Sequence, residues 1–274
     1  MLQTLARLFY RLPLSIQRPI ERQWYEHISL FDHRAEMIFM NYGWADLDPQ
    51  APPLPLHPDD HFNRYCIQLY HRVASAIDLE GKDVLEVGSG RGGGASYVAR
   101  YLHPNSYTGL DLTASSIRFC QAHHDVPGLS FVRGNAEELD FPSESFDAVI
   151  NVESSHCYPH VERFFAGVAR VLKPGGHFLY VDHRDVAVVD AWRQQIRDAG
   201  LEIVEEENVS TNVTRALELD NARKQALIER RVPRILRSFF NEFAGMEGTH
   251  TLYATLCSGD KEYRRFVARK PIRL

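Results

Sequence analysis

No two cysteines of this chain stand at C-x-x-C spacing; Cys66, Cys120, Cys157 and Cys257 lie far apart. That argues against a disulfide framework and a structural zinc site, and fits free thiols in a reducing compartment. No unbroken apolar run approaches the ~20 residues that a membrane-crossing helix needs. The opening stretch, MLQTLARLFYRLPLSIQRPIERQWYEHISLF, also lacks the apolar centre and small-residue cleavage site of a secretion signal. A cytoplasmic protein without stable membrane insertion is the expectation. Excess positive charge is missing too: the net charge is −5 and the isoelectric point near 6.2. A general nucleic-acid binder draws its affinity from a basic surface, so no nucleic-acid partner is expected. Internal repeats and low-complexity tracts are likewise not evident.

What is present is ordinary for a globular protein. The 274 residues, 44% hydrophobic and 24% charged, suit one large α/β domain with an embellishment. Residues 1 to about 47 read as helices, and Leu2, Leu5, Leu8, Phe9 and Leu12 fall on one helical face with Arg7 and Arg11 among them. Such a stripe packs on its own domain or on a sister subunit, which makes a homo-oligomer plausible; resting on a membrane surface is the weaker alternative. The proline-rich DPQAPPLPLHPDD at 48–60 is a connector. From about Asn63 short apolar strands alternate with helices of ~10 residues, the pattern of parallel crossover units. The expected fold is a doubly wound, Rossmann-like, seven-stranded and mostly parallel sheet, with N-terminal helices and a helical lid. The expected divisions are an N-terminal segment with its connector (1–62), a core (63–210), a charged helical insertion (211–250) and a final strand region (251–274). The Arg/Lys density of the insertion is interleaved with Glu218, Asp220 and Glu229, which fits a solvated helix face better than a site for an acidic partner.

The strongest local signal is VLEVGSGRGGG at 84–94. An apolar strand runs into glycines, which let the backbone turn tightly and approach a bound nucleoside, and the following helix offers free N–H groups at its start. Gly88, Gly90 and Gly93 satisfy G-x-G-x-x-G, which by itself is a weak match. Three companions strengthen it. Glu86 stands two residues before the first glycine, placed to reach an amine of a ligand. Asp111 ends the next strand, where it can accept from ribose hydroxyls. Gly-Asn-Ala-Glu at 134–137 ends the third strand, a polar set suited to an adenine edge. A nicotinamide oxidoreductase would want a second glycine turn, and none is found.

Together E-V-G-S-G-R-G, Y-T-G-L-D-L, G-N-A-E-E-L-D-F, S-F-D-A-V-I and V-L-K-P-G-G resemble the class I S-adenosylmethionine-dependent methyltransferases over roughly residues 63–205. R-G-G-G-A-S-Y, S-S-H-C-Y-P-H and M-N-Y-G-W-A are further similar to the branch of mycobacterial phthiotriolone-type lipid O-methyltransferases. The resemblance implies S-adenosyl-L-methionine as cofactor. It implies that Glu86, Gly88, Ser89 and Gly90 line its methionine end, and that Asp111 holds the ribose with Leu112 beside the adenine. Asn135 and Ala136 would meet the adenine edge, Asn151 would offer backbone near the sulfonium, and Tyr42 would close over the cofactor. The adenine-facing position is often Asp and is Asn135 here; an amide oxygen still accepts from an exocyclic amine.

NVESSHCYPH at 151–160 leaves the fourth strand on the edge where open α/β sheets bind ligands. Zinc on His156, Cys157 and His160 is disfavoured, since adjacent ligands diverge on an extended backbone and no second Cys/His pair exists at ligand spacing; no metal is expected. An imidazole suits proton acceptance near neutral pH, so His156 is the expected general base, with Glu153 orienting it, contacting the cofactor or merely capping the loop. His183 is the rival base. Asp182 and His183 are adjacent on a strand and point to opposite faces, so at most one should enter the pocket. Trp44 and Tyr158 are expected to face the acceptor, and Phe239 and Phe243, with Phe240, to form the apolar underside of the lid. Core packing is the plainer alternative for all of these aromatics. The expected activity is methyl transfer to a hydroxyl of a small, rather apolar acceptor, lipid- or polyketide-like. Carbon or nitrogen acceptors, a cofactor-bound cyclase and a nicotinamide oxidoreductase are the alternatives.

Overall fold

In the computed structural model residues 36–249 and 252–272 are described; the apolar stripe at Leu2 to Leu12 lies outside them. Seven strands form one sheet: β1 (Asp83–Val87), β2 (Ser106–Asp111), β3 (Leu129–Arg133), β4 (Phe146–Val152), β5 (Leu172–Asp185), β6 (Glu202–Asn208) and β7 (Lys261–Arg269). Their order is β3-β2-β1-β4-β5-β7-β6. The pairs from β3 through β5 are parallel, and β7 runs antiparallel between β5 and β6. The order reverses between β1 and β4, so a crevice opens beyond the carboxyl ends of those strands, where a nucleotide lies in this kind of sheet.

The central strands are apolar on both faces because helices cover both. One side carries α1 (Arg64–Ala74) and α2 (Gly93–Tyr101); α3 (Ala114–His123) follows β2. The other carries α4 (Val161–Val171) and α5 (Val189–Asp198). In α4 the spacing of Phe164, Phe165, Val168 and Val171 puts all four on one face, and each is fully buried. Burying side chains of this size contributes about 1.5–3 kcal/mol apiece. Strand β6 is the sheet's edge and is mostly exposed. Its Glu205, Glu206 and Glu207 pair with Arg265 and Arg264 of β7, a charged margin that discourages pairing with another chain.

After β6 the chain enters the expected helical block: α6 (Ser210–Arg231), a short 3-10 turn and α7 (Arg237–Phe243). An additional helix, α8 (Leu252–Ser258), precedes β7 where only a strand was expected. Residues 36–47 carry no helix, contrary to the reading of 1–47 as helical. They form an extended strap. The Trp44 N–H donates to the Tyr65 carbonyl (3.0 Å) and the Asn212 amide to the Ala45 carbonyl (2.9 Å), tying the strap to α1 and α6. Asn41, Tyr42 and Gly43 break a helical stripe, and docking onto two helices satisfies the backbone groups that a helix would otherwise pair. Among the described residues no helix is long and apolar enough to cross a membrane.

Candidate active site

The glycine turn sits at the tip of β1 and its geometry is demanding. Gly88 has φ +80°, and a Cβ there would collide with the Ser154 hydroxyl. A Cβ on Gly94 would strike the Tyr70 ring. Asp111, at the tip of β2, links the turn to its neighbour: Oδ2 accepts from the Gly90 N–H and Oδ1 from the Thr113 N–H, both at 2.9 Å. A cavity of about 910 Å³ opens here. Gly88, Ser89, Gly90, Asp111, Leu112, Asn135 and Ala136 line it, as expected from the sequence, and Tyr158 lines it too. Its other wall is the strap, Ile38 to Asn41.

Three expected cofactor residues stand elsewhere. Glu86 is fully buried beneath the turn and absent from the cavity wall. Its carboxylate accepts from the Tyr70 (2.7 Å) and Tyr107 (2.9 Å) hydroxyls, so Glu86 meets the cavity only through Tyr70, which does line it. Burial pushes its pKa up to about 7 against those two hydrogen bonds. Asn151 is also fully buried and does not line the cavity; its amide donates to the Val87 carbonyl (2.8 Å) and Ser154 Oγ (2.7 Å), so it braces the loop. Tyr42 lies behind the cavity wall, its hydroxyl donating to the Phe243 carbonyl at 3.2 Å.

Glu153 has φ +50°, a left-handed conformation rare for a residue with a side chain. Both its oxygens accept from the Tyr42 N–H (2.9 and 3.1 Å), clamping the strap to the end of β4. Its carboxyl therefore faces the strap, not the His156 ring. Burial pushes its pKa up to about 8; the Tyr263 hydroxyl and the Tyr42 amide oppose the rise, and Asp182 adds to it. The Tyr263 hydroxyl stands nearby without forming a hydrogen bond of good geometry.

The carboxylate that meets the imidazole is Asp182, which is fully buried. His156 belongs to a single 3-10 turn, Ser155–Cys157, and its Nδ1 lies 2.8 Å from Asp182 Oδ1. Asp182 Oδ2 accepts from Ser155 Oγ (2.6 Å) and the His156 N–H (3.0 Å), and Oδ1 also from the His183 N–H (2.8 Å). Arg184 Nη1 lies 3.5 Å away. Burial alone would raise the pKa of Asp182, but His156 and Arg184 hold it well below the carboxylate range. For His156 burial disfavours the charged ring, yet Cys157 and Asp182 outweigh it and hold the pKa well above the usual histidine value. The His183 ring stacks on His156 at 4.5 Å; burial and the His156 charge push its pKa well below the usual value. Asp182 and His183 thus both approach His156, and none of the three lines the cofactor cavity, which is compatible with the expectation that at most one of Asp182 and His183 enters the pocket. β5 stays paired with β7 through Asp185 but loses its β4 neighbour after Val181, and the turn that carries His156 lies on that unpaired side.

His156, Asp182 and His183 also offer three ligand atoms within 4.8 Å of one another, the one such group among the described residues. The Asp182 oxygens already accept four hydrogen bonds, and an arginine stands beside them, so the carboxylate has little lone-pair capacity to give a cation. The expected acceptor-facing aromatics divide. Trp44 packs against the main core and is absent from the wall of the cofactor cavity. Phe243 lines a second, smaller cavity behind the strap, and Phe239 lines neither.

Residues 85–180 match the methyltransferase domain family. The chain is 43% identical to the phthiotriol/phenolphthiotriol dimycocerosates methyltransferase of Mycobacterium leprae, over 92% of each chain. It belongs to this methyltransferase family. The enzyme is also 39% identical to the fatty-acid O-methyltransferase of Mycolicibacterium smegmatis, over 97% of this chain and 95% of that one. The crystal structure of the [4+2]-cyclase SpnF superposes with a TM-score of 0.70 at 20% identity, covering 93% of this chain and 96% of that one, a likeness of fold. The enzyme uses S-adenosyl-L-methionine, and the cavity fits it. Asp111, Asn135 and Ala136 all line the cavity, and the glycines leave the room that side chains would fill.

Proposed function

We propose that the enzyme transfers a methyl group to a hydroxyl oxygen of a small, apolar, lipid-like acceptor, with His156 as general base and Asp182 as its orienting carboxylate. The hydrogen bond between His156 Nδ1 and the buried Asp182 carries this reading. The lipid acceptors named for two relatives, phthiotriol and fatty acid, support the substrate class. When bound, S-adenosylmethionine supplies a methyl group already activated on its sulfonium. The chain's own residues supply position and a proton acceptor. Asp182 accepts from Nδ1–H, which leaves Nε2 as the acceptor atom. Nε2 takes the hydroxyl proton as the oxygen takes the methyl, and the imidazolium so formed sits beside a carboxylate that stabilises it.

Because Cys157 and Asp182 together raise the His156 pKa, the ring gains its proton-accepting form only as pH rises. Turnover should therefore climb through a limb displaced to the alkaline side of an ordinary histidine. Asp182→Asn should move that limb to lower pH and lower the plateau. His156→Ala should cut turnover by about 10²–10⁴ with S-adenosylhomocysteine affinity unchanged; unaltered turnover would remove His156 as the base. A second reading makes His183 the base, since both its ring nitrogens are buried without a partner among the described residues and its pKa is depressed. Under that reading the neutral ring is present throughout, no alkaline limb appears, and His183→Ala abolishes turnover.

A further inference from the structure

Glu86, the acid placed by the sequence to reach an amine of the ligand, lies beneath the glycine turn with its oxygens on the Tyr70 and Tyr107 hydroxyls, off the cavity wall. The ammonium at the methionine end of the cofactor still needs acceptors once it leaves water. Asn41, in the strap, is 8% exposed and lines the cofactor cavity as well as the smaller one behind it. Its amide nitrogen donates to the Cys66 carbonyl of α1 at 3.3 Å. That bond fixes which way the amide faces, because a flipped oxygen would meet the carbonyl. The opposite atom, Oδ1, is buried and accepts no hydrogen bond from the described residues. Bare buried acceptors are few in folded proteins, and a ligand is one way to satisfy them. A second acceptor stands nearby. Glu153 lines the same cavity, and its two oxygens share the N–H of Tyr42, the residue after Asn41, which leaves lone pairs over. Topology carries the cofactor toward this corner. Asp111 ends β2 and Asn135 follows β3, so a nucleoside resting on them leaves its amino-acid end over β1 and β4. The strap crosses there: the Gly93 N–H donates to the Ile38 carbonyl at 3.2 Å, and Glu153 grips Tyr42 from the end of β4.

We propose that Asn41 Oδ1, together with the Glu153 carboxylate, binds the α-ammonium of S-adenosylmethionine, the role that Glu86 does not reach from beneath the turn. Both groups are acceptors, so the corner suits a cation and disfavours the cofactor's own carboxylate. Glu153 then serves twice, clamping Tyr42 and facing the ammonium. A cation drawn against it favours the ionised carboxylate and opposes the rise in pKa that burial imposes. The strap thus becomes part of the cofactor site and not only its wall. The assignment concerns the cofactor alone and holds for any acceptor or base.

Calorimetry on the full-length enzyme tests it with S-adenosylhomocysteine and its deaminated analogue, which keeps the carboxylate and lacks only the ammonium. The wild type should bind S-adenosylhomocysteine about tenfold or more tighter than the analogue, the worth of a hydrogen bond to a charged group. Asn41→Leu should lose most of that preference by weakening S-adenosylhomocysteine, with the analogue bound as before. Asn41→Asp, which keeps an acceptor and adds charge, should retain the preference. Glu153→Gln, which still offers Tyr42 an oxygen, should narrow it. Equal binding of the two ligands by the wild type, or an undiminished preference in Asn41→Leu or Glu153→Gln, would overturn the assignment. So would a parallel loss of both ligands in Asn41→Leu, the mark of a strap loosened as a whole. A loss in Asn41→Asp as large as in Asn41→Leu would also overturn it, placing the effect on the amide nitrogen or on the cofactor's carboxylate. No methyl transfer is read, so His156 can fail as base while the ammonium site stands, and the reverse.

Discussion

Asp111 shows what one carboxylate does when the chain places it at a strand tip. It accepts from the Gly90 and Thr113 amides, so its orientation is set before any ribose arrives. Replacing it with alanine should weaken S-adenosylhomocysteine binding by about 1.5–3 kcal/mol, the worth of hydrogen bonds to a charged group. Isothermal titration of wild type and variant checks this, and equal affinity would dismiss the ribose role. Residues of this kind were legible in the chain because their positions follow from local grammar: a glycine turn after a strand, an acid after the next one. Asp182 was not. Its partner, His156, comes from a segment 26 residues earlier, and alternation along a strand does not say which residue a crossing turn will cover. Of the roles the sequence left open for Glu153, a hydrogen bond to an amide is the one seen, with the Tyr42 N–H, and Glu153 also lines the cofactor cavity. Its left-handed backbone turns the carboxyl toward the strap, a conformation that side-chain chemistry does not announce.

At the level of elements, the strap over residues 36–45 depends on the clamp at the end of β4. Glu153→Ala leaves the partly buried Tyr42 N–H without its acceptor, at a cost of about 1 kcal/mol. Hydrogen–deuterium exchange should then quicken across residues 36–45 while the β1 and β4 amides remain protected, and the cofactor should bind more weakly as its wall loosens. Unchanged exchange over the strap would show that the docking onto α1 and α6 suffices. Strands and long helices were readable from periodicity, including the antiparallel last strand's position and the charged block of α6. The strap was misread as helical because the break at Asn41, Tyr42 and Gly43 was not given its weight, and α8 was missed because seven residues carry too little periodicity to stand out.

Across the whole molecule, the cofactor cavity is built over buried acids that make stability depend on pH. Glu86 is held at about 7 by burial, above its unfolded value near 4.5. The folded state therefore keeps a proton that the unfolded chain releases, and stability falls as pH rises from about 4.5 to 7. Glu86→Gln removes that titration. Urea unfolding across pH 5–8 should show the variant gaining on the wild type as pH rises, by on the order of 2–3 kcal/mol over the window. A constant difference would mean that Glu86 is charged in the folded protein. The sequence by itself determined the order of strands and helices, the nucleoside-binding turn and the carboxylate beyond it, because each is written within a few tens of residues. Only the tertiary structure decided that Asp182 faces His156 and that Glu153 holds the strap. Those contacts join segments separated by 26 to more than 100 residues, and which side chains meet there depends on how whole elements pack.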